Sequence, residues 1–272
     1  IRTALGIVSS RASGLKSQFG TMGKPFNAGA AAANGIEAAS LAKLGFTASD
    51  DAFAGPQSFL NAHHATCDGS RQIASWSFDN ILFASVSYKL YACCHGTHAM
   101  IEALLLLRAE DAFSEVDLLG IQVEIAPRWQ NVCDIKLPTT GLEIKFSYVF
   151  LAAMALRGVN LAAYESYLDK VCEDADLVAL ASKVSVIGND KISDSAARVT
   201  MHRKDGDARS QYFDLLKPID PAHLSKRLQG KAASLIGSHT ADDLWLLIDS
   251  LEGVSAYDLA AKLQMNNKEV DI

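Results

Sequence analysis

Apolar residues recur at helical spacing towards both ends of the chain. Residues 97–108 are the clearest case, because Ile101, Leu104 and Leu105 fall on one broad apolar face. The same spacing predicts further helices over residues 1–10, 28–44, 56–65, 146–157, 223–235, 241–251 and 255–263. Gly45 is expected to end the helix over 28–44 as its C-cap.

The central stretch alternates between apolar and polar residues instead. Residues 116–126 are rich in β-branched side chains, which predicts a strand, and residues 183–187 predict a second one. Asp205-Gly206 lies between the alternating runs 198–203 and 208–215, a spacing that favours a tight hairpin. Helices, a mixed segment and helices follow each other, so the sequence predicts an α+β fold, with a large all-helical domain interrupted by a smaller α+β domain.

The helix over 28–44 is built largely of alanine and glycine. Such small side chains allow a second helix to approach closely, and a helix on the solvated surface would carry more charge. We therefore expect a buried helix in a packed helical domain.

Composition narrows the class of protein. Only 21% of the 272 residues are charged and the net charge is −6, so the chain lacks the basic field that binds a nucleic-acid backbone or an anionic membrane surface. No apolar run approaches the ~20 residues of a membrane span. The five cysteines are odd in number and irregular in spacing, which favours a reducing, cytoplasmic location over a disulfide framework.

One candidate site lies at Gly20–Pro25, a run that has a lysine between glycine and proline. It differs from a phosphate-binding loop, because only two residues separate its glycines and a proline follows the lysine. Pro25 is expected to hold Lys24 extended at the start of a helix, where an ammonium group could bind a carboxylate. The alternative is a solvated surface lysine.

A second candidate site combines Lys89, Cys93, Cys94, His95 and His98 in a loop that leads into a helix. Zinc binding is one interpretation, although adjacent cysteines cannot easily both face one tetrahedral ion. A cysteine nucleophile beside a histidine is another. The third is structural: buried thiols that bind no metal, and a histidine that caps the helix.

Four stretches resemble the MmgE/PrpD family, which includes 2-methylcitrate dehydratase, cis-aconitate decarboxylase and iminodisuccinate epimerase. They are residues 14–29 with the alanine-rich helix after them, 89–99, the Glu-Ile-Lys-Phe-Ser run at 143–147, and 152–158. The resemblance implies a helical domain formed by residues 1–84 and 218–272, with an α+β lid at 85–217. Family members carry an earlier helical portion that does not precede Ile1, so these residues are expected to be the later part of a longer protein.

The resemblance also implies the site. Lys24 and Lys89 match two active-site lysines, expected to face one pocket across the cleft, and His98, with His95 beside it, falls near a family histidine. The family tyrosine matches Tyr148 or the position of Phe150. Asn27 stands where the family often has a histidine.

The implied activity is that of a lyase that needs no cofactor or metal. The expected reaction is dehydration of a small hydroxy-polycarboxylate such as 2-methylcitrate, in propionate metabolism. Epimerisation or decarboxylation of a similar substrate, such as iminodisuccinate or cis-aconitate, is the alternative. A truncated, non-catalytic family member acting in assembly is another. The expected partners are the polycarboxylate substrate and a second copy of the chain in a homodimer.

Overall fold

A computed structural model describes residues 1–18, 21–53, 55–63, 86–110 and 115–263. Gly20 of the first candidate site and Cys67, one of the five cysteines, lie outside these ranges. The helices are α1 (Arg2–Ser9), α2 (Gly23–Lys43), α3 (Phe59–His63), α4 (His98–Glu110), α5 (Gln130–Cys133), α6 (Gly141–Ile144), α7 (Tyr148–Leu156), α8 (Ala175–Ala181), α9 (Pro221–Ile236), α10 (Ser238–Asp249) and α11 (Ala256–Leu263). Short 3₁₀ helices occupy Lys16–Gln18, His95–Thr97, Pro127–Trp129, Tyr164–Tyr167, Asp169–Glu173 and Leu251–Gly253. The strands are β1 (Leu118–Ile125), β2 (Val184–Gly188), β3 (Ala196–Arg203) and β4 (Ala208–Asp214).

These elements confirm the α+β class. The chain divides into two compact units, Ile1–Tyr88 and Lys89–Ile272. The three-part division at residues 84 and 217, with its lid, remains a prediction. Among the described residues, no helix is both long and apolar enough to cross a membrane.

In the first unit, α1 packs against α2. Helix α2 ends as predicted, because Gly45 has a φ of +89° and Phe46 N–H donates to Leu41 O at 3.0 Å, which closes a Schellman turn. The expectation of a buried helix is wrong for this chain. Ala38 is the buried residue of α2, while Phe26 and Ile36 are about 70% exposed.

The start of α2 also differs from the prediction. The helix begins at Gly23, so Lys24 lies inside its first turn and is not extended before Pro25. A proline is tolerated there because the first N–H groups of a helix have no acceptor within it.

The second unit contains one four-stranded sheet, in the order β2-β1-β3-β4. β1 pairs in parallel with β2, whereas β1–β3 and β3–β4 are antiparallel. The predicted hairpin is confirmed: Gly206 turns with a φ of +91° and Arg203 N–H donates to Asp207 O at 2.8 Å. In β1, Ile121, Val123 and Ile125 are buried, as the alternation predicts.

Helices α4 and α7 form the centre of the core. All nine residues of α7 are buried, and a helix that is apolar on every side belongs inside a protein. α4 packs against α7, β3 and β4, and α7 also packs against α8 and β2. Leu224 and Leu228 of α9 lie against this core.

Helix α6 begins at Gly141. A Cβ atom at this glycine would lie 1.5 Å from Tyr167 O. The sequence therefore uses glycine where two backbone segments meet.

Candidate active site

A tight turn between Lys89 and α4 positions the histidines. Cys94 is extended, the 3₁₀ turn His95–Thr97 follows, and His98 is the first residue of α4. Thr97 Oγ1 donates to Cys94 O at 2.8 Å and lies 3.3 Å from Cys93 Sγ. A Cβ atom at Gly96 would come within 2.5 Å of the Trp129 ring, so this position suits glycine alone.

His98 is buried and only partly hydrogen-bonded. The residue is only 1% exposed, and its Nε2 has no hydrogen-bond partner among the described residues. The ring forms a hydrogen bond with the backbone of Cys93. Because Nε2 lacks a partner among the described residues, this bond involves Nδ1. Tyr91 and His95 each have a ring centroid 5.1 Å from the centroid of His98.

The surroundings of His98 keep its ring neutral. Burial, followed by the charges of the nearby His95 and Lys89, lowers the pKa of His98 to about 3. His95 is half-buried, and burial followed by the charge of Lys89 lowers its pKa as well. A neutral ring with Nδ1–H bonded leaves a free lone pair on Nε2, which is the arrangement of a general base.

Three lysines from different parts of the chain lie near this turn. Lys89 precedes it, Lys145 lies between α6 and α7, and Lys231 is on α9. Lys231 Nζ donates to the carbonyl oxygen of Lys89. Lys145 Nζ lies 5.0 Å from the ring centroid of Tyr167. The backbone carbonyl of Lys145 accepts a hydrogen bond from Cys94 N–H at 2.9 Å.

The lysines influence one another. Burial, and then the charge of Lys89, lowers the pKa of both Lys145 and Lys231. Each ammonium group also interacts electrostatically with Cys93, and for Lys89 this interaction lowers the thiol pKa. Burial is the stronger influence and raises the pKa of Cys93 to about 11, so the thiol stays protonated.

Tyr148 supports the turn from the other side. It begins α7, is fully buried, and its Oη donates to Gly96 O at 2.8 Å. Burial raises its pKa, so the hydroxyl keeps its proton. Phe150, the other position considered for the family tyrosine, lines a separate cavity of about 350 Å³ with Val149 and Cys172.

The Glu-Ile-Lys-Phe-Ser run divides into structural residues and one lysine. Glu143 accepts from Thr139 N–H at 2.7 Å, and Thr140 Oγ1 accepts from Glu143 N–H at 3.2 Å, which caps α6. Ser147 caps α7 by accepting from Phe150 N–H at 3.2 Å. Lys145 is the residue of this run whose ammonium group interacts electrostatically with Lys89 and Cys93.

A partly buried ion pair joins α9 to α4. Arg227 Nη2 donates to Glu102 Oε1 at 2.6 Å and to Tyr91 Oη at 2.9 Å. Tyr91 Oη in turn donates to Glu102 Oε1 at 2.7 Å. The network holds α9, and with it Lys231, against the helix that begins with His98.

The structure thus groups four of the five residues predicted from the sequence: Lys89, His95, His98 and Tyr148. Lys24 belongs to the first unit, in the first turn of α2, and its part in the site remains a prediction.

The sequence reasoning did not select Lys145, Lys231, Glu102 or Arg227. A signal was present in α9, where Leu224, Arg227, Leu228 and Lys231 follow the spacing of one helical face. Two basic residues on an otherwise apolar, core-facing stripe indicate a buried partner or a ligand.

The metal interpretation of the cysteine run receives no support from the geometry. In the described parts of the chain, no three His, Cys, Asp or Glu side chains are grouped to hold a metal ion. In the same described parts, none of the four cysteines (Cys93, Cys94, Cys133 and Cys172) forms a disulfide bond.

The buried histidine predicts a pH dependence of stability. Between pH 6.5 and 3 the unfolded chain protonates His98 whereas the folded chain does not, so the free energy of unfolding should fall as pH falls through this range. The contribution is at most about 1.4 kcal/mol per pH unit. The free energy of unfolding is measured by urea titration at several pH values. Its slope against pH should be shallower for His98→Asn than for the parent protein. The exposed His239→Asn should keep the parent slope, and identical slopes for all three proteins would contradict the prediction.

Comparison with family models gave two matches. The model described as the MmgE/PrpD C-terminal domain matches residues 91–241, and that of the MmgE/PrpD N-terminal domain matches residues 1–69. A search of curated proteins found no significant match. The C-terminal match includes the histidine turn, Lys145, Tyr148 and Lys231.

Proposed function

Because the chain belongs to the MmgE/PrpD family, we propose that it is a lyase that removes water from a small hydroxy-polycarboxylate such as 2-methylcitrate. One observation carries the proposal: the buried, neutral His98 lies beside Lys89, and its Nε2 has no hydrogen-bond partner in the part of the chain that the structure describes. A base next to an ammonium group suits removal of a proton α to a carboxylate. The cytoplasmic location, the homodimer and the role in propionate metabolism belong to the same proposal.

The proposed reaction breaks two bonds and forms one double bond. His98 Nε2 takes the proton from the carbon next to a carboxylate, while the ammonium groups stabilise the negative charge that collects on the carboxylate oxygens. The electron pair of the C–H bond forms the C=C bond, and the hydroxyl on the neighbouring carbon leaves as water after accepting a proton. A lysine with a lowered pKa, such as Lys145 or Lys231, donates that proton more readily than an ordinary lysine.

Epimerisation is the second candidate, and the paired histidines favour it. His95 and His98 both have lowered pKa values, and their ring centroids are 5.1 Å apart. In such a reaction one histidine, neutral, removes the proton from one face of the carbon, and the other histidine, protonated, returns a proton to the opposite face. Iminodisuccinate is the reference substrate for this reaction.

A substrate panel separates the candidates. The purified protein is incubated in deuterium oxide with citrate, 2-methylcitrate, cis-aconitate and iminodisuccinate, and the products are followed by NMR. We expect an alkene from 2-methylcitrate. Deuterium incorporation with inversion of iminodisuccinate would instead indicate an epimerase. Loss of carbon dioxide from cis-aconitate would indicate a decarboxylase. If no substrate gives a product and none exchanges deuterium, the enzyme proposal is overturned in favour of a non-catalytic role.

A further inference from the structure

We propose that Lys145 and Lys231 bind substrate carboxylates together with Lys89, so that three ammonium groups from three elements form one anion site over Cys93. This inference rests on the proposed function for the identity of the anion. It adds two residues from distant parts of the sequence that play no part in the expectations for the site.

The backbone around the site fixes where the two lysines lie. Lys145 is held by the hydrogen bond from Cys94 N–H to its carbonyl, while the rings of Tyr164 and Tyr167 lie 5.5 and 5.0 Å from its Nζ. Lys231 reaches the site from α9, where its Nζ donates to the carbonyl oxygen of Lys89. Both side chains are half-buried, so an anion bound there would be shielded from water.

Among the described residues, no carboxylate balances the charge at the site. In residues 86–110 and 115–263, no carboxylate forms a salt bridge with Lys89, Lys145 or Lys231. The aromatic rings beside Lys145 offer a weaker attraction than a carboxylate does. Grouped like charges destabilise the folded protein, and an anionic ligand would remove that penalty.

A second, independent observation points to a ligand at the same place. His98 Nε2 is buried and has no hydrogen-bond partner within the described ranges, and His98 interacts electrostatically with both Lys89 and Lys231. A buried polar atom normally has a partner, so an orphaned one beside uncompensated ammonium groups indicates a missing polar ligand. A polycarboxylate would supply acceptors for the lysines and a C–H bond for the base.

The test measures binding of an unreactive probe, propane-1,2,3-tricarboxylate, by calorimetry. Lys145→Met and Lys231→Met should each weaken binding by about tenfold or more, since a charge-assisted contact is lost. Their melting temperatures should stay the same or rise, because repulsion is relieved. Lys226→Met, an exposed lysine on the same helix, and Lys170→Met should leave binding unchanged. Lys145→Arg and Lys231→Arg should recover part of the affinity.

The outcomes separate this inference from the proposed reaction. Lysine-dependent binding of the probe without turnover of any substrate would support the anion site and remove the lyase. Turnover with the parent kcat and KM in both methionine variants would overturn the anion site and keep the lyase. A fall in melting temperature with unchanged probe affinity would assign the two lysines a structural role and also overturn the inference.

Discussion

Replacement of His98 by asparagine is expected to lower turnover at least a hundredfold. Asparagine has a similar volume and retains an N–H group for the backbone of Cys93, but it cannot accept a proton. A positioned general base contributes typically ~10²–10⁴-fold to a rate. The measurement is kcat on 2-methylcitrate, or on whichever substrate of the panel reacts, together with deuterium exchange at the α carbon.

The control variants separate the two histidines. His95→Asn, half-buried on the same turn, should reduce dehydration less than His98→Asn, whereas an epimerase that uses both bases should lose activity in either variant. The exposed His239→Asn should behave as the parent protein. Probe binding by His98→Asn should stay within a few-fold of the parent value. A His98→Asn protein that folds, binds the probe and turns over at the parent rate would exclude His98 as the base.

Replacement of Glu102 by alanine is expected to cost about 3 kcal/mol of unfolding free energy. The variant leaves the Arg227 guanidinium without its carboxylate partner, and breaking a buried ion pair costs about 3–5 kcal/mol. The low end of that range applies because the Arg227 side chain is 24% exposed. Urea denaturation at pH 7 measures the loss.

A surface ion pair provides the matched control. Arg128 and Asp194 are joined at 2.5 Å, but both side chains are more than half exposed. Asp194→Ala should therefore cost about 1 kcal/mol or less. Equal losses for Glu102→Ala and Asp194→Ala would contradict the prediction. The Glu102 variant should also raise KM, because Arg227 no longer ties α9, which carries Lys231, to α4.

Local patterns account for most of the secondary structure. The hairpin at Asp205-Gly206 was predictable because a residue with positive φ is needed there, and glycine accepts that conformation. Helix α4 was predictable to within two residues because its apolar positions repeat at helical spacing over three turns. Helix α8 was missed although Asp174 caps it by accepting from Asp176 and Leu177 N–H at 3.0 Å, because seven residues give too short a pattern.

Burial was harder to infer than helicity. The small side chains of α2 correctly indicate a helix, but packing depends on what lies opposite, and α2 is largely exposed in this chain. A local pattern also could not predict the parallel pairing of β1 with β2, because the paired residues 121 and 184 are far apart along the chain.

The sequence by itself determined the α+β class, the family resemblance that the family models confirm, and the cluster of Lys89, His95 and His98, which are close because they are neighbours in the chain. Only the tertiary structure decided that Lys145 and Lys231 join them, and that Tyr148, one of the two positions considered for the family tyrosine, contacts the turn. Those residues lie roughly 50 to 140 positions further along, and packing of α7 and α9 on the core brings them to the turn. Tertiary structure also decided the chemistry of His98, since burial beside cations, and not residue type, is what makes its ring a neutral base.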